Sequence, residues 1–152
     1  AVDAAQLMAN SAKKAGIDIE VIREPNDGYW SNVWNNDAKG WCACYWGGRP
    51  AETMMFSAAY VAESKWNDTM WKTTDSAVKF NQLVKDARKE LDESKKRDIL
   101  YECQRLIYDD GGLLCPLFNS YVSANSKKIA HGKIAANWDS DGAKCVERWW
   151  FA

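Results

Sequence analysis

The chain has 152 residues, enough for one domain with a substantial core, and its 20 basic side chains nearly match its 21 acidic ones. That balance implies neither nucleic acid nor an anionic membrane as partner, and the basic clusters at Lys95-Lys96-Arg97 and Lys127-Lys128 read as solvated faces. No apolar run approaches the length of a membrane span, and the opening AVDAAQLM lacks the basic flank and long apolar core of a signal peptide, as a mature protein or an excised piece also would.

In chain order, Asp3 and Gln6 resemble a capping box, Ala5, Met8, Ala12 and Ala15 share a helical face, and Gly16 suits a helix stop. Residues 17–21, IDIEV, alternate with the period of a strand. Tyr29, Trp30, Val33 and Trp34 follow at helical spacing, with Asp27 as the expected cap. Helix, strand, helix and then an apolar run argue for α/β layering.

That run, Cys42-Ala-Cys-Tyr-Trp46, is unbroken and bounded by turn residues, the pattern of a strand buried on both faces. Gly47 and Gly48 allow a sharp turn or a close approach to a ligand. Pro50 suits the first turn of a following helix over residues 51–60. Strand, glycine turn and helix start make the usual ligand-site geometry of an α/β sheet, although a plain strand–helix connection has the same pattern. The aromatic pair Tyr45-Trp46 and the charge of Arg49 favour a site.

Residues 61–74 have no clear period and read as a loop containing Trp66 and Trp71. Two amphipathic helices follow. Phe80, Leu83, Val84, Ala87 and Leu91 form one stripe, and Ile99, Cys103, Leu106 and Ile107 the other, with a joint at residues 92–94 and a stop at Gly111-Gly112. Residues 113–124 read as extended, with Pro116 placing part of them at a sheet edge or bulge, and residues 146–151 as a last strand.

Catalytic and metal chemistry find little support. His131 is the sole imidazole, the five cysteines are scattered without a C-x-x-C, and phosphate-binding glycine motifs are absent. The cysteines are read as small buried hydrophobes, with one disulfide left open. Asp109-Asp110 read as solvated charges, because adjacent residues at a helix end point apart. The expectation is a protein without enzyme activity, cofactor or metal.

The order of elements resembles the carboxy-terminal part of the periplasmic dipeptide- and oligopeptide-binding proteins of ABC importers. KKRDILYECQRLIYDDGGLLCPLFNSYV is similar to that family's second hairpin helix and the strand after it. FNQLVKDARKELD resembles its first hairpin helix, and AAQLMANSAKKAGIDIEV its helix ending in glycine before a strand. The likeness covers nearly the whole chain and is weakest after Ser126. It implies one lobe of a type II periplasmic-binding-protein-like fold: a mixed sheet flanked by helices, with a long helical hairpin.

Residues 1–125 would form the ligand-binding lobe, and residues 126–152 a terminal segment packing on it or crossing towards a missing amino-terminal lobe. The implied ligand is a peptide or related small solute, and the implied partners are the membrane permease subunits of a periplasmic importer. By position the resemblance points to Tyr45, Trp46, Gly47, Gly48 and Arg49 as ligand-binding residues. Many family members carry an aspartate where this chain has Arg49, which places recognition of a peptide amino terminus in question. The alternative expectation is a free-standing Trp-rich domain binding carbohydrate or a partner.

Overall fold

The computed structural model describes residues 2–36 and 40–152. The chain divides into two units, Ala1–Gly47 and Gly48–Ala152, which differ sharply in how much they bury.

In the first unit, α1 (Val2–Lys13) carries Asp3 in its first turn and Lys13 in its last, both favourable to the helix dipole. It closes as its composition predicts. Gly16 takes φ +79°, and the Ile17 and Gly16 amides bond back to the Ala12 and Lys13 carbonyls at 3.1 and 3.0 Å, a Schellman closure. A single turn, α2 (Tyr29–Asn32), starts at Gly28 rather than on an Asp27 cap. Ala9 is the one residue of this unit that is buried among those described.

The expected strand at residues 17–21 joins no sheet, and Ile17 and Ile22 are exposed. The run 42–46 likewise joins no sheet. Cys42, Cys44 and Trp46 are half-buried, whereas Ala43 and Tyr45 are exposed, so this is not the interior strand that its apolar composition predicts.

The second unit holds the core. Its first helix, α3 (Glu52–Ala59), begins just past Pro50. Then α4 (Asp75–Lys89) and α5 (Glu93–Asp110) form the expected hairpin around a three-residue joint. Thr74 caps α4 by accepting from the Ala77 amide at 3.2 Å, and Asp92 caps α5 by accepting from Ser94 and Lys95 at 2.9 and 3.0 Å. Ala77, Phe80, Val84 and Ala87 on α4 are buried, as are Cys103, Leu106 and Ile107 on α5. Phe80 lies 5.6 Å from the Phe56 ring and 5.2 Å from that of Trp71, which ties α3 and the following loop to the hairpin. Leu91 falls in the joint and is exposed.

The loop 60–74 is ordered by one buried amide. Asn67 donates from Nδ2 to the carbonyls of Tyr60, Val61 and Trp71 at 3.3, 3.2 and 3.0 Å. Asp110, read from the sequence as solvated, instead accepts from Trp71 Nε1 (2.8 Å), Thr74 Oγ1 (2.7 Å) and the Ser76 hydroxyl. It therefore joins the end of α5 to the start of α4, while Asp109 turns away to Arg105.

Residues 113–125 form no helix and join no sheet, and a small terminal ribbon ends the chain. It comprises β1 (Ile129–His131), two short turns α6 (Asp139–Ala143) and α7 (Cys145–Arg148), and β2 (Trp149–Phe151). The strands pair antiparallel, with His131 opposite Trp149. The expected last strand keeps only its final three residues. The α/β lobe with a mixed sheet flanked by helices is thus overturned: helices dominate, and the sheet among the described residues has two short strands. The physical reason is that a strand must find its hydrogen-bond partners on other strands, and the runs 17–21, 42–46 and 113–124 find none in a sheet here.

Candidate functional site

The division between the units falls inside the glycine pair, so the expected ligand residues separate: Tyr45, Trp46 and Gly47 in the first unit, Gly48 and Arg49 in the second.

In the first unit, exposure alternates along the run, with Trp46 half-buried and Tyr45 63% exposed. Trp46 meets Trp34 edge-on at 6.2 Å, Trp34 meets Trp30 at 5.6 Å, and Trp30 meets Tyr29 at 5.9 Å. Edge-on packing suits the ring quadrupoles. The Tyr29 hydroxyl donates to the Ala43 carbonyl at 2.8 Å, pinning α2 to the run.

In the second unit, Arg49 is half-buried with its guanidinium carbon 5.3 Å from the centre of the Trp138 ring, a cation–π contact, and its Nη1 lies 3.4 Å from the Gly48 carbonyl. A methyl group built on Gly48 would stand 3.4 Å from the Tyr121 hydroxyl, so Tyr121 closes over this backbone. Gly48 thus lies near Tyr121, and Arg49 near Trp138, from segments that sequence spacing does not relate.

Trp138 is set by its neighbours in the ribbon. Three residues on, Asp141 is buried and accepts from the Ala135 amide at 2.6 Å and Trp149 Nε1 at 3.0 Å, and it pairs with Arg148 at 3.0 Å. The Ala135 bond, reinforced by Trp149 and Arg148, holds the Asp141 carboxyl below the usual carboxylate range. Around it, Ser140, Asp141 and Ala143 all have positive φ, a left-handed turn that L residues adopt only when other contacts fix it.

The chemistry this arrangement offers is recognition. A guanidinium fork and a phenolic hydroxyl are hydrogen-bond donors suited to carboxylate or phosphate oxygens, and the indole supplies an apolar wall. A separate cleft of about 540 Å³ opens beside α3 and α5, lined by Glu52, Thr53, Lys96, Arg97, Leu100 and Tyr101 among others. Its mixture of charges favours neither sign of ligand.

Elsewhere on the hairpin, Glu102 accepts from Arg105 and Lys79 and is held at about 2, while burial pushes the Cys103 thiol up to about 11. Both belong to the packing of α4 and α5. Among the described residues no group of three or more His, Cys, Asp or Glu side chains is placed to hold a metal ion, and no helix is long and apolar enough to cross a membrane.

Comparison with protein-family models, with curated proteins and with solved structures returned no match.

Proposed function

We propose that this chain is part of the solute-binding component of an ABC importer, taking a peptide or a related small solute in a cleft between two lobes of a longer periplasmic polypeptide. The ligand would then pass to membrane permease subunits. The observation that carries the reading is the segment 113–124. Leu114, Leu117, Phe118, Tyr121 and Val122 are all exposed, Phe118 to 95%. Apolar residues recur along the segment without strict alternation, the composition of a strand covered from both sides. Fully burying each large apolar side chain is worth about 1.5–3 kcal/mol. Leaving several in water along one open backbone fits a segment whose neighbours belong to further chain.

The test is to isolate the polypeptide from its native source, determine its intact mass, and challenge it with a random tripeptide pool in equilibrium dialysis. The expected outcome is a mass well above 17.2 kDa and retention of peptides. A native polypeptide of the present size that retains none would refute the reading. The aromatic ladder Tyr29–Trp30–Trp34–Trp46 favours a second reading, a carbohydrate- or partner-binding domain. Retention of an oligosaccharide mixture in place of peptides would select it.

A further inference from the structure

We infer that the cleft beside α3 and α5 binds a small zwitterion of the free amino-acid class, with its ammonium at Glu52 and Glu93 and its carboxylate at Lys96 and Arg97. The cleft lies wholly within the second unit and needs no second lobe, so its occupancy is independent of the solute-binding reading above.

Four charges border one volume there and leave one another unpaired. Glu52, Glu93, Lys96 and Arg97 all line the cleft of about 540 Å³, a size within the range of small-molecule sites. Among the described residues none of the four forms an ion pair. Glu93 stands one helical turn before Arg97, in the order that favours an intrahelical pair, yet that pair is not made. Arg97 commits one of its five N–H groups to the Ser94 hydroxyl at 3.5 Å. The Lys96 amine, at the end of a half-buried side chain, donates to no group among the described residues.

Other charges on α5 behave differently. Glu102 meets Lys79 at 2.6 Å and Arg105 at 2.8 Å, and Arg105 also reaches Asp109 at 2.8 Å. Those groups are spent within the protein, whereas the charges of the cleft remain available to a ligand.

Their signs select its class. Two carboxylates face two cations, so an anion or a cation alone meets repulsion along with attraction. A molecule with one ammonium and one carboxylate meets an opposite charge at each end, and both contacts are charge-assisted. A neutral polyhydroxyl compound brings a charge to neither side of its own hydrogen bonds and gains less. Leu100 and Tyr101 line the same cleft and offer apolar surface to an amino-acid side chain.

The experiment is equilibrium dialysis of the intact polypeptide at pH 7 against leucine, N-acetyl-leucine, which lacks the ammonium, and leucinamide, which lacks the carboxylate. Wild-type protein should retain leucine about threefold or more above either derivative, the scale of a partly exposed ion pair. Lys96→Ala combined with Arg97→Ala should abolish the preference over leucinamide. Glu52→Gln combined with Glu93→Gln should abolish the preference over N-acetyl-leucine. The wild-type ratios are decisive without any variant, so a misfolded double variant does not obscure the result. Retention of leucine matched by either derivative, or no retention at all, would overturn the site. So would preferences that survive in the folded double variants, or retention of maltose above leucine.

Discussion

The hairpin of α4 and α5 and the segment 113–124, which forms no helix and joins no sheet, follow one another in one unit and are both rich in large apolar residues, yet they end in opposite states. The hairpin buries Phe80, Val84, Cys103, Leu106 and Ile107, whereas the segment leaves Leu114, Leu117, Phe118 and Val122 in water. The difference lies in where each backbone finds its hydrogen bonds. A helix satisfies its own amides and carbonyls, so two amphipathic helices joined by a short turn need only each other to bury their stripes. An extended segment has to be paired along its edges and covered on its faces by other parts of the chain. Apolar composition alone therefore does not determine burial.

The comparison can be broken most directly by substitution at matched residues. Phe80→Ala removes a ring packed on both Phe56 and Trp71, and a loss of about 3–5 kcal/mol is expected in urea unfolding followed by helical circular dichroism. Phe118→Ser should leave the same transition within about 0.5 kcal/mol, as for an exposed site. Equal losses at the two positions would mean that the segment is buried in solution and that the contrast is false.

Asn67 sharpens the contrast from a polar direction, because the loop 60–74 is also irregular yet ordered. Removing its side chain in Asn67→Ala strips a buried donor from the carbonyls of Tyr60, Val61 and Trp71, for an expected cost of about 1–3 kcal/mol. An unchanged unfolding midpoint would show that the loop is held by Trp71 packing alone.

Acid probes the same hairpin through its carboxylates. Hydrogen bonds from Arg105 and Lys79 hold Glu102 at about 2, and those from Ser76, Thr74 and Trp71 hold Asp110 below its ordinary value. Both carboxyls take up a proton more readily when unfolded than when folded. Their contribution is therefore complete above the ordinary carboxylate range and is lost as pH falls through the folded values. For Glu102 that window runs from 4.5 down to about 2. The Tm should stay level above the window and fall within it, and Asp110→Asn should flatten part of the fall. A Tm that holds to the bottom of the window would remove both carboxylates from the account of the hairpin.

How much was legible in the residues follows the same division. The helix stop at Gly16, the start of α3 after Pro50, and the hairpin with its buried Phe80, Val84, Ala87, Cys103, Leu106 and Ile107 are local or nearly local features, set by periodicity and capping. The sheet was not legible. Residues 17–21 and 42–46 carry strand patterns, but a pattern names the faces of a strand and not its neighbours. At the candidate site, the expected group 45–49 was a contiguous run, whereas the boundary between the two units falls between Gly47 and Gly48. Arg49 lies against Trp138, and Gly48 near Tyr121. No spacing rule links these positions, and Trp138 is one of nine tryptophans.

By itself, then, the sequence determined the Gly16 stop of α1, the start of α3 after Pro50 and the stripes by which α4 meets α5, because those depend on residues a few places apart. The tertiary structure alone decided that Asp110 ties α5 to α4, that Asn67 gathers three carbonyls, and that the ribbon brings Trp138 beneath Arg49. Each of these joins groups separated along the chain or held in irregular backbone. Their partners are selected by the path of the whole fold, which no local periodicity encodes.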